Sequence, residues 1–98
     1  MKLTDIIRKL PLTLNLTTLG GASDFTVVNC GGVVLIINSS GSYFELDDSI
    51  VSTVYKRYTA LPVAKRHMAS EYVQPKWPTT PNTIFSPYIA RIISYIGK

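Results

Sequence analysis

A single cysteine, Cys30, and a single histidine, His67, leave this chain of 98 residues short of material for several kinds of chemistry. One cysteine closes no internal disulfide, so nothing points to an oxidising compartment and a cytoplasmic chain is expected. One cysteine and one histidine, with no metal-ligand spacing around them, do not supply the three or four protein ligands of a zinc centre. No metal and no cofactor are therefore expected. No apolar run approaches the roughly 20 residues that a transmembrane helix requires, so no membrane partner is expected either. The opening residues turn from basic to a Leu/Thr alternation, without the continuous apolar run of a signal peptide. Neither Gly20-Gly21 nor Gly31-Gly32 is followed by the Lys-Ser/Thr of a phosphate loop, which leaves them as turn glycines.

Charge is also scarce, at 16% of residues, below the average of about 25%. The informative gap is in charge of one sign. From Leu10 to Tyr55 there is no Lys or Arg, while Asp24, Glu45, Asp47 and Asp48 fall in that stretch. From Lys56 onward the balance inverts: Lys56, Arg57, Lys65, Arg66, Lys76, Arg91 and Lys98 stand against the lone acid Glu71. Asymmetry between halves hints at a polyanionic or acidic partner for the basic half.

Hydrophobic residues are plentiful, at 46% with a mean hydropathy of +0.19, which excludes a disordered chain. The length suits one self-sufficient domain. Leu3, Ile6, Ile7 and Leu10 recur at helical spacing, and Pro11 ends that helix. Leu12, Leu14 and Leu16 then alternate with Thr13, Asn15 and Thr17 in the period of a strand. Residues 25–30 are rich in β-branched side chains, Gly31-Gly32 suits a tight hairpin, and Val33 to Asn38 is a continuous apolar strand. Asn38-Ser39-Ser40-Gly41 makes the next turn, after which Phe44 and Leu46 share a face.

The period turns helical again after Leu46. Asp47 or Asp48 caps a helix whose stripe is Ile50, Val51, Val54, Tyr55 and Tyr58. Leu61-Pro62 marks a joint before a second helix over about 63–73, where Ala64, Met68 and Tyr72 align. Pro75, Pro78 and Pro81, three apart, match one face of a polyproline II segment. Ser86-Pro87 reads as an N-cap followed by proline in the first turn, and Ile89, Ile92, Ile93 and Ile96 form the stripe of a last helix. Its outer face carries Arg91, Ser94 and Lys98. The expected fold class is α+β: a short N-terminal helix, an antiparallel meander of three to four strands over 12–46, two basic helices over 48–73, a Pro-rich connector over 74–86 and a C-terminal helix over 87–97. The helices pack on one face of the sheet.

Catalysis has thin support. A Cys30 nucleophile with His67 as its base is conceivable at a strand end, but a lone cysteine is more often a small apolar residue, and no enzyme is expected. Asp47 and Asp48 are explained more simply as cap and dipole partners than as a magnesium or acid–base pair. The Pro75–Pro81 stretch reads as a connector anchored by Trp77 and Phe85, with a polyproline ligand for a partner's aromatic groove as its alternative. The strongest functional signal is the basic set. Lys56 and Arg57 on one helix and Lys65 and Arg66 on the next, extended by His67, Lys76 and Trp77, make the candidate surface for a phosphate backbone, with Trp77 available to stack on an unpaired base.

The order of elements also resembles a known plan. Leu3-Thr4-Asp5-Ile6-Ile7-Arg8-Lys9-Leu10 as an opening helix, a meander through Val34-Leu35-Ile36-Ile37-Asn38 and Gly41-Ser42-Tyr43-Phe44-Glu45-Leu46, and an acid-capped helix from Asp48-Ser49-Ile50-Val51 are similar to small phage anti-CRISPR proteins that inhibit the type II effector nuclease. The likeness covers roughly the first 60 residues and is architectural. Those proteins are strongly acidic, whereas this chain is basic from Lys56, so their binding surface does not carry over. The resemblance implies a phage-type accessory protein that binds and blocks a larger machine. Two function classes follow: a non-catalytic binder of nucleic acid or nucleoprotein through the basic helical face, or a protein-interaction module that docks on a host protein or forms a homodimer.

Overall fold

Among the described residues, the alternating, β-branched and continuous apolar stretches of the first half give four strands: β1 (Thr13–Thr17), β2 (Asp24–Cys30), β3 (Val33–Asn38) and β4 (Tyr43–Glu45). The computed structural model describes residues 1–19, 21, 23–78 and 85–97. Gly20 and Ala22 of the first turn, connector residues 79–84 with Pro81, and Lys98 lie outside the described residues. The strands form one antiparallel meander in the order β1-β2-β3-β4. Leu16 stands opposite Phe25, Val27 opposite Ile36, and Ile36 opposite Phe44, so one side chain in two along each strand enters the core. The hairpin between β2 and β3 depends on Gly31 and Gly32, whose φ values of 60° and 82° are those of a left-handed two-residue turn. Between β3 and β4 the Asn38 carboxamide oxygen accepts from the Ser40 and Ser42 N–H groups at 3.1 and 2.9 Å.

Among the described residues three α-helices join the sheet: α1 (Leu3–Lys9), α2 (Asp48–Ala60) and α3 (Ser86–Ile96). Their apolar stripes are the ones the spacing predicts. Ile6 from α1, Ile50, Val51 and Val54 from α2, and Ile89, Ile92, Ile93 and Ile96 from α3 close over Leu16, Phe25, Val27, Val34 and Ile36 of the sheet. Helix α3 is the hub, touching α1, α2 and the short 3₁₀ turn Ala69–Tyr72. The result is the expected α+β plan, a helical layer on one face of a meander.

The acid pair Asp47 and Asp48 caps two helices at once. Asp47 Oδ1 accepts from the Ile50 N–H at 2.8 Å, and Asp48 Oδ1 accepts from the Leu3 N–H at 2.7 Å. One carboxylate holds its own helix and the next holds α1, 45 residues away in sequence. Asn29 serves the other end of α1. Its buried carboxamide donates to the carbonyls of Ile7 and Leu10 at 2.9 and 3.0 Å. A helix of seven residues is too short to persist alone, and these two distant side chains tie it to the sheet and to α2.

Five expectations are corrected. The helix over 63–73 is replaced by two 3₁₀ turns, Val63–Lys65 and Ala69–Tyr72, separated by Met68 in an extended conformation. Of its predicted stripe only Tyr72 is buried, while Ala64 and Met68 face water, so a continuous helix has no apolar face to lay on the core. The polyproline II reading fails over the described part of the connector. The Trp77 N–H donates to the Val73 carbonyl at 3.0 Å and closes a turn, whereas polyproline II makes no internal hydrogen bonds. Ser86 is the first residue of α3 and not its cap; Phe85 takes that place, fixed by ring contacts at 5.4 Å with Phe44 and 5.3 Å with Tyr88. Finally, Leu12 lies ahead of β1 and is exposed, and Ser94 is buried where an outer face was expected.

Candidate functional site

The bases singled out in the sequence fall into two groups. Arg57, near the end of α2, is held on several sides: Nε donates to the Glu71 carbonyl at 2.8 Å, and Nη2 donates to Glu71 Oε1 at 3.2 Å and to the Lys76 carbonyl at 3.4 Å. Its guanidinium also lies 5.7 Å from the centre of the Trp77 ring. Lys76 Nζ reaches the second carboxylate oxygen, Glu71 Oε2, at 3.3 Å. The lone acid of the basic half, buried with only 4% of its surface exposed, thus sits in a fork between two cations. Arg66 is occupied too. It donates to the carbonyls of Leu61 and Thr59 at 3.1 and 3.2 Å, closing the C-terminal end of α2, and lies 5.3 Å from the Tyr58 ring. The Tyr72 hydroxyl donates back to the Arg66 carbonyl at 2.7 Å, and burial pushes that hydroxyl well above the usual tyrosine range.

The structure therefore gathers Arg57, Lys76 and Trp77 around Glu71 and lays Arg66 on Tyr58. Lys56, Lys65 and His67 are exposed, and among the described residues no partner holds their side chains. The stacking platform expected of Trp77 is half-buried against the core beneath Arg57. Glu71 was legible only as the one acid among seven bases; its partnership with Arg57 spans 14 residues and follows no helical spacing.

Cys30 and His67 are not brought together. Cys30 ends β2 at the Gly31-Gly32 hairpin, whereas His67 lines a cleft with Thr17, Thr18 and Arg91 near the opposite end of that sheet, about 20 Å along a seven-residue strand. Asp47 and Asp48 are spent on caps. Among the described residues no group of three or more His, Cys, Asp or Glu side chains is placed to hold a metal, and no helix is long and apolar enough to cross a membrane.

A second surface went unrecognised in the sequence. With the helices all on one side, the other face of the sheet has no layer over it among the described residues. Its rows follow from the register: Thr13, Val28, Leu35 and Glu45 in one, Asn15, Thr26, Ile37 and Tyr43 in the next, with Cys30 and Val33 beyond the first and Thr17 and Asp24 beyond the second. Val28, Leu35 and Ile37 are only half-buried and do not pack against the core, Val33 is 38% exposed and Tyr43 is 72% exposed. The polar members pair with one another across β1 and β2: Thr26 donates to Asn15 Oδ1 at 2.8 Å and Thr17 to Asp24 Oδ1 at 2.9 Å. The continuous apolar run Val33–Asn38 was the available signal, since a strand apolar on both sides is one that has both faces covered. No family model, curated protein or solved structure matches this chain.

Proposed function

We propose that this chain is a small non-catalytic accessory protein that docks the open face of its sheet onto a larger protein, against a surface with an apolar centre and a basic rim. The observation behind this reading is the apolar strip of Val28, Val33, Leu35, Ile37 and Tyr43, which among the described residues is uncovered, bounded by Asp24 and Glu45 and without a cation on its face. Apolar area left in water at the centre of a sheet favours burial by about 25 cal/mol per Å². Charge then selects the partner. Two copies stacked through this face would bring four carboxylates, Asp24 and Glu45 of each, into one interface with no base on it to neutralise them, so a homodimer is disfavoured.

Size argues in the same direction. Four strands about 4.8 Å apart and about five residues long present a flat face of roughly 19 by 17 Å. That falls short of the ~800 Å² per partner of a standard stable interface and suits a transient contact, or a partner that also wraps an edge strand. The internal ties of Arg57, Arg66 and Lys76 support placing the interface here and not on the basic segment. An accessory role on a larger machine also agrees with what the helix-meander-helix resemblance implies.

A photoreactive phenylalanine at position 43 or at position 56, in the cells that make the protein, tests the reading. The expected result is a protein adduct from position 43 only, mapped by mass spectrometry to a peptide with Lys or Arg flanking apolar residues, and lost in Leu35→Glu. Adducts from position 56 alone, adducts to nucleic acid, or self-adducts only would overturn it.

A further inference from the structure

Three arginines of the second half are described in full, and only one lacks a complete set of internal partners. Arg57 and Arg66 each make several hydrogen bonds and lie on an aromatic ring. Arg91, half-buried on α3, makes one contact: Nε donates to the Thr17 carbonyl at 3.1 Å. That bond fixes the guanidinium against the end of β1 and leaves both terminal nitrogens without a partner among the described residues. No carboxylate pairs with it there. The nearby Asp24 is turned to the open sheet face, where it accepts from the Thr17 hydroxyl.

The guanidinium lines a cleft of about 510 Å³ between α3 and the β1–β2 connection, shared with Thr18, Leu19, Gly21, His67 and Ser94. No acid lines it. His67 is exposed and adds a ring N–H donor from the segment after α2. The Thr18 hydroxyl oxygen accepts from the Ser23 N–H at 3.2 Å, which leaves its own hydrogen to donate. Ser94 is buried, and among the described residues its hydroxyl is not spent on a backbone carbonyl in the way that Thr53 and Thr59 spend theirs. Leu19 supplies an apolar wall that packs on the core.

From this convergence we infer that the Arg91 cleft binds a small organic phosphate, its phosphoryl group on Arg91, His67, Thr18 and Ser94 and its organic part against Leu19. Donors arriving from α3, the turn at His67 and the turn after β1 suit a tetrahedral oxyanion better than a planar carboxylate, and a planar guanidinium with two free edge nitrogens takes a phosphate in a bidentate grip. The volume lies within the range of small-molecule sites, about 300 to 1,000 Å³. This site is separate from the open sheet face, and its occupancy does not depend on docking there.

The test is a heteronuclear NMR titration of the whole protein at constant ionic strength with inorganic phosphate, phenyl phosphate and benzoate. Saturable shifts confined to Thr18, Leu19, Gly21, His67, Arg91 and Ser94 are expected, with phenyl phosphate binding about tenfold tighter than inorganic phosphate and benzoate weaker than both. Arg91→Lys should weaken phenyl phosphate about tenfold, and His67→Gln, at an exposed position where folding is not at stake, several-fold. Shifts centred on Lys56 and Lys65, non-saturable shifts, benzoate binding as tightly as phenyl phosphate, or unchanged affinity in both variants would overturn the assignment.

Discussion

Replacing Glu71 by Gln asks whether the basic half is held inward or free to act. Glu71 is 4% exposed and takes Arg57 Nη2 at 3.2 Å and Lys76 Nζ at 3.3 Å on its two oxygens. Removing one member of a fully buried ion pair costs about 3 to 5 kcal/mol, because the other charge is stranded. Three features reduce that figure here. The Arg57 side chain is 21% exposed and the Lys76 side chain 53% exposed, so water screens both. The Arg57 Nε bond to the Glu71 carbonyl, 2.8 Å, survives the change. The carboxamide also keeps one oxygen for Arg57. The expected loss is about 1 to 2 kcal/mol, or roughly 5 to 15 °C in Tm for a domain of this size. Urea unfolding followed by circular dichroism measures it, and a cycle with Arg57→Gln should return a coupling of about 1 kcal/mol or more. A Glu71→Gln variant within 0.3 kcal/mol (about the error of such a cycle) with no coupling to Arg57 would refute the reasoning and return Arg57 and Lys76 to the solvent as free cations.

The remaining predictions concern other ties in the fold. Asn29→Ala strands the Ile7 and Leu10 carbonyls and should cost about 2 kcal/mol by the same urea assay, with amide exchange accelerated across α1. Burial, with Tyr58 nearby, raises the Tyr72 hydroxyl above its ordinary value of 10.0. The unfolded chain then releases that proton first, so stability is intact below pH 10 and falls above it, by up to about 1.4 kcal/mol per pH unit. Tyr72→Phe should flatten that alkaline limb when urea midpoints are compared between pH 9 and pH 11. At the acid end, the Lys2 N–H bonded to Asp5 Oδ2 at 2.8 Å holds the Asp5 carboxyl below its ordinary 3.8; partial desolvation opposes it, and Arg8, the amino terminus and Lys9 assist. Its stabilisation is present above that ordinary value and lost as pH falls through the lower folded one, so Asp5→Asn should make the acid limb shallower.

What could be read in advance follows the range of the physical signal. Strands β1 to β4 were legible because period-two patterning in β1 and β4, β-branched and apolar runs in β2 and β3, and the Gly31-Gly32 turn all act over a few residues. Helices α2 and α3 were legible because Ile50, Val51 and Val54, and the four isoleucines of the last helix, repeat at helical spacing. The segment after Pro62 defeated the same rule. Ala64, Met68 and Tyr72 are spaced for a helix, but only Tyr72 is buried, and Arg66 turns back to the carbonyls of α2 instead of facing water. Once the helix is broken there, Glu71 swings under Arg57, a partnership no local pattern encodes. The chemistry of the bases was visible in the sequence; their engagement was not. The open sheet face was hidden for a related reason: an apolar strand states that both its sides avoid water, and only the placement of the described helices on one side reveals which side they leave bare.

Either the open sheet face or the basic segment carries the protein's contacts. The direct measurement is the affinity of the partner captured from position 43 for the native protein, for Leu35→Glu on the open face, and for Lys56→Glu/Lys65→Glu on the basic segment, by calorimetry at physiological salt. A loss of a hundredfold or more in Leu35→Glu, with the double charge reversal within twofold of native, is the predicted result. Native affinity in Leu35→Glu together with a collapse in the Lys56/Lys65 variant would contradict it.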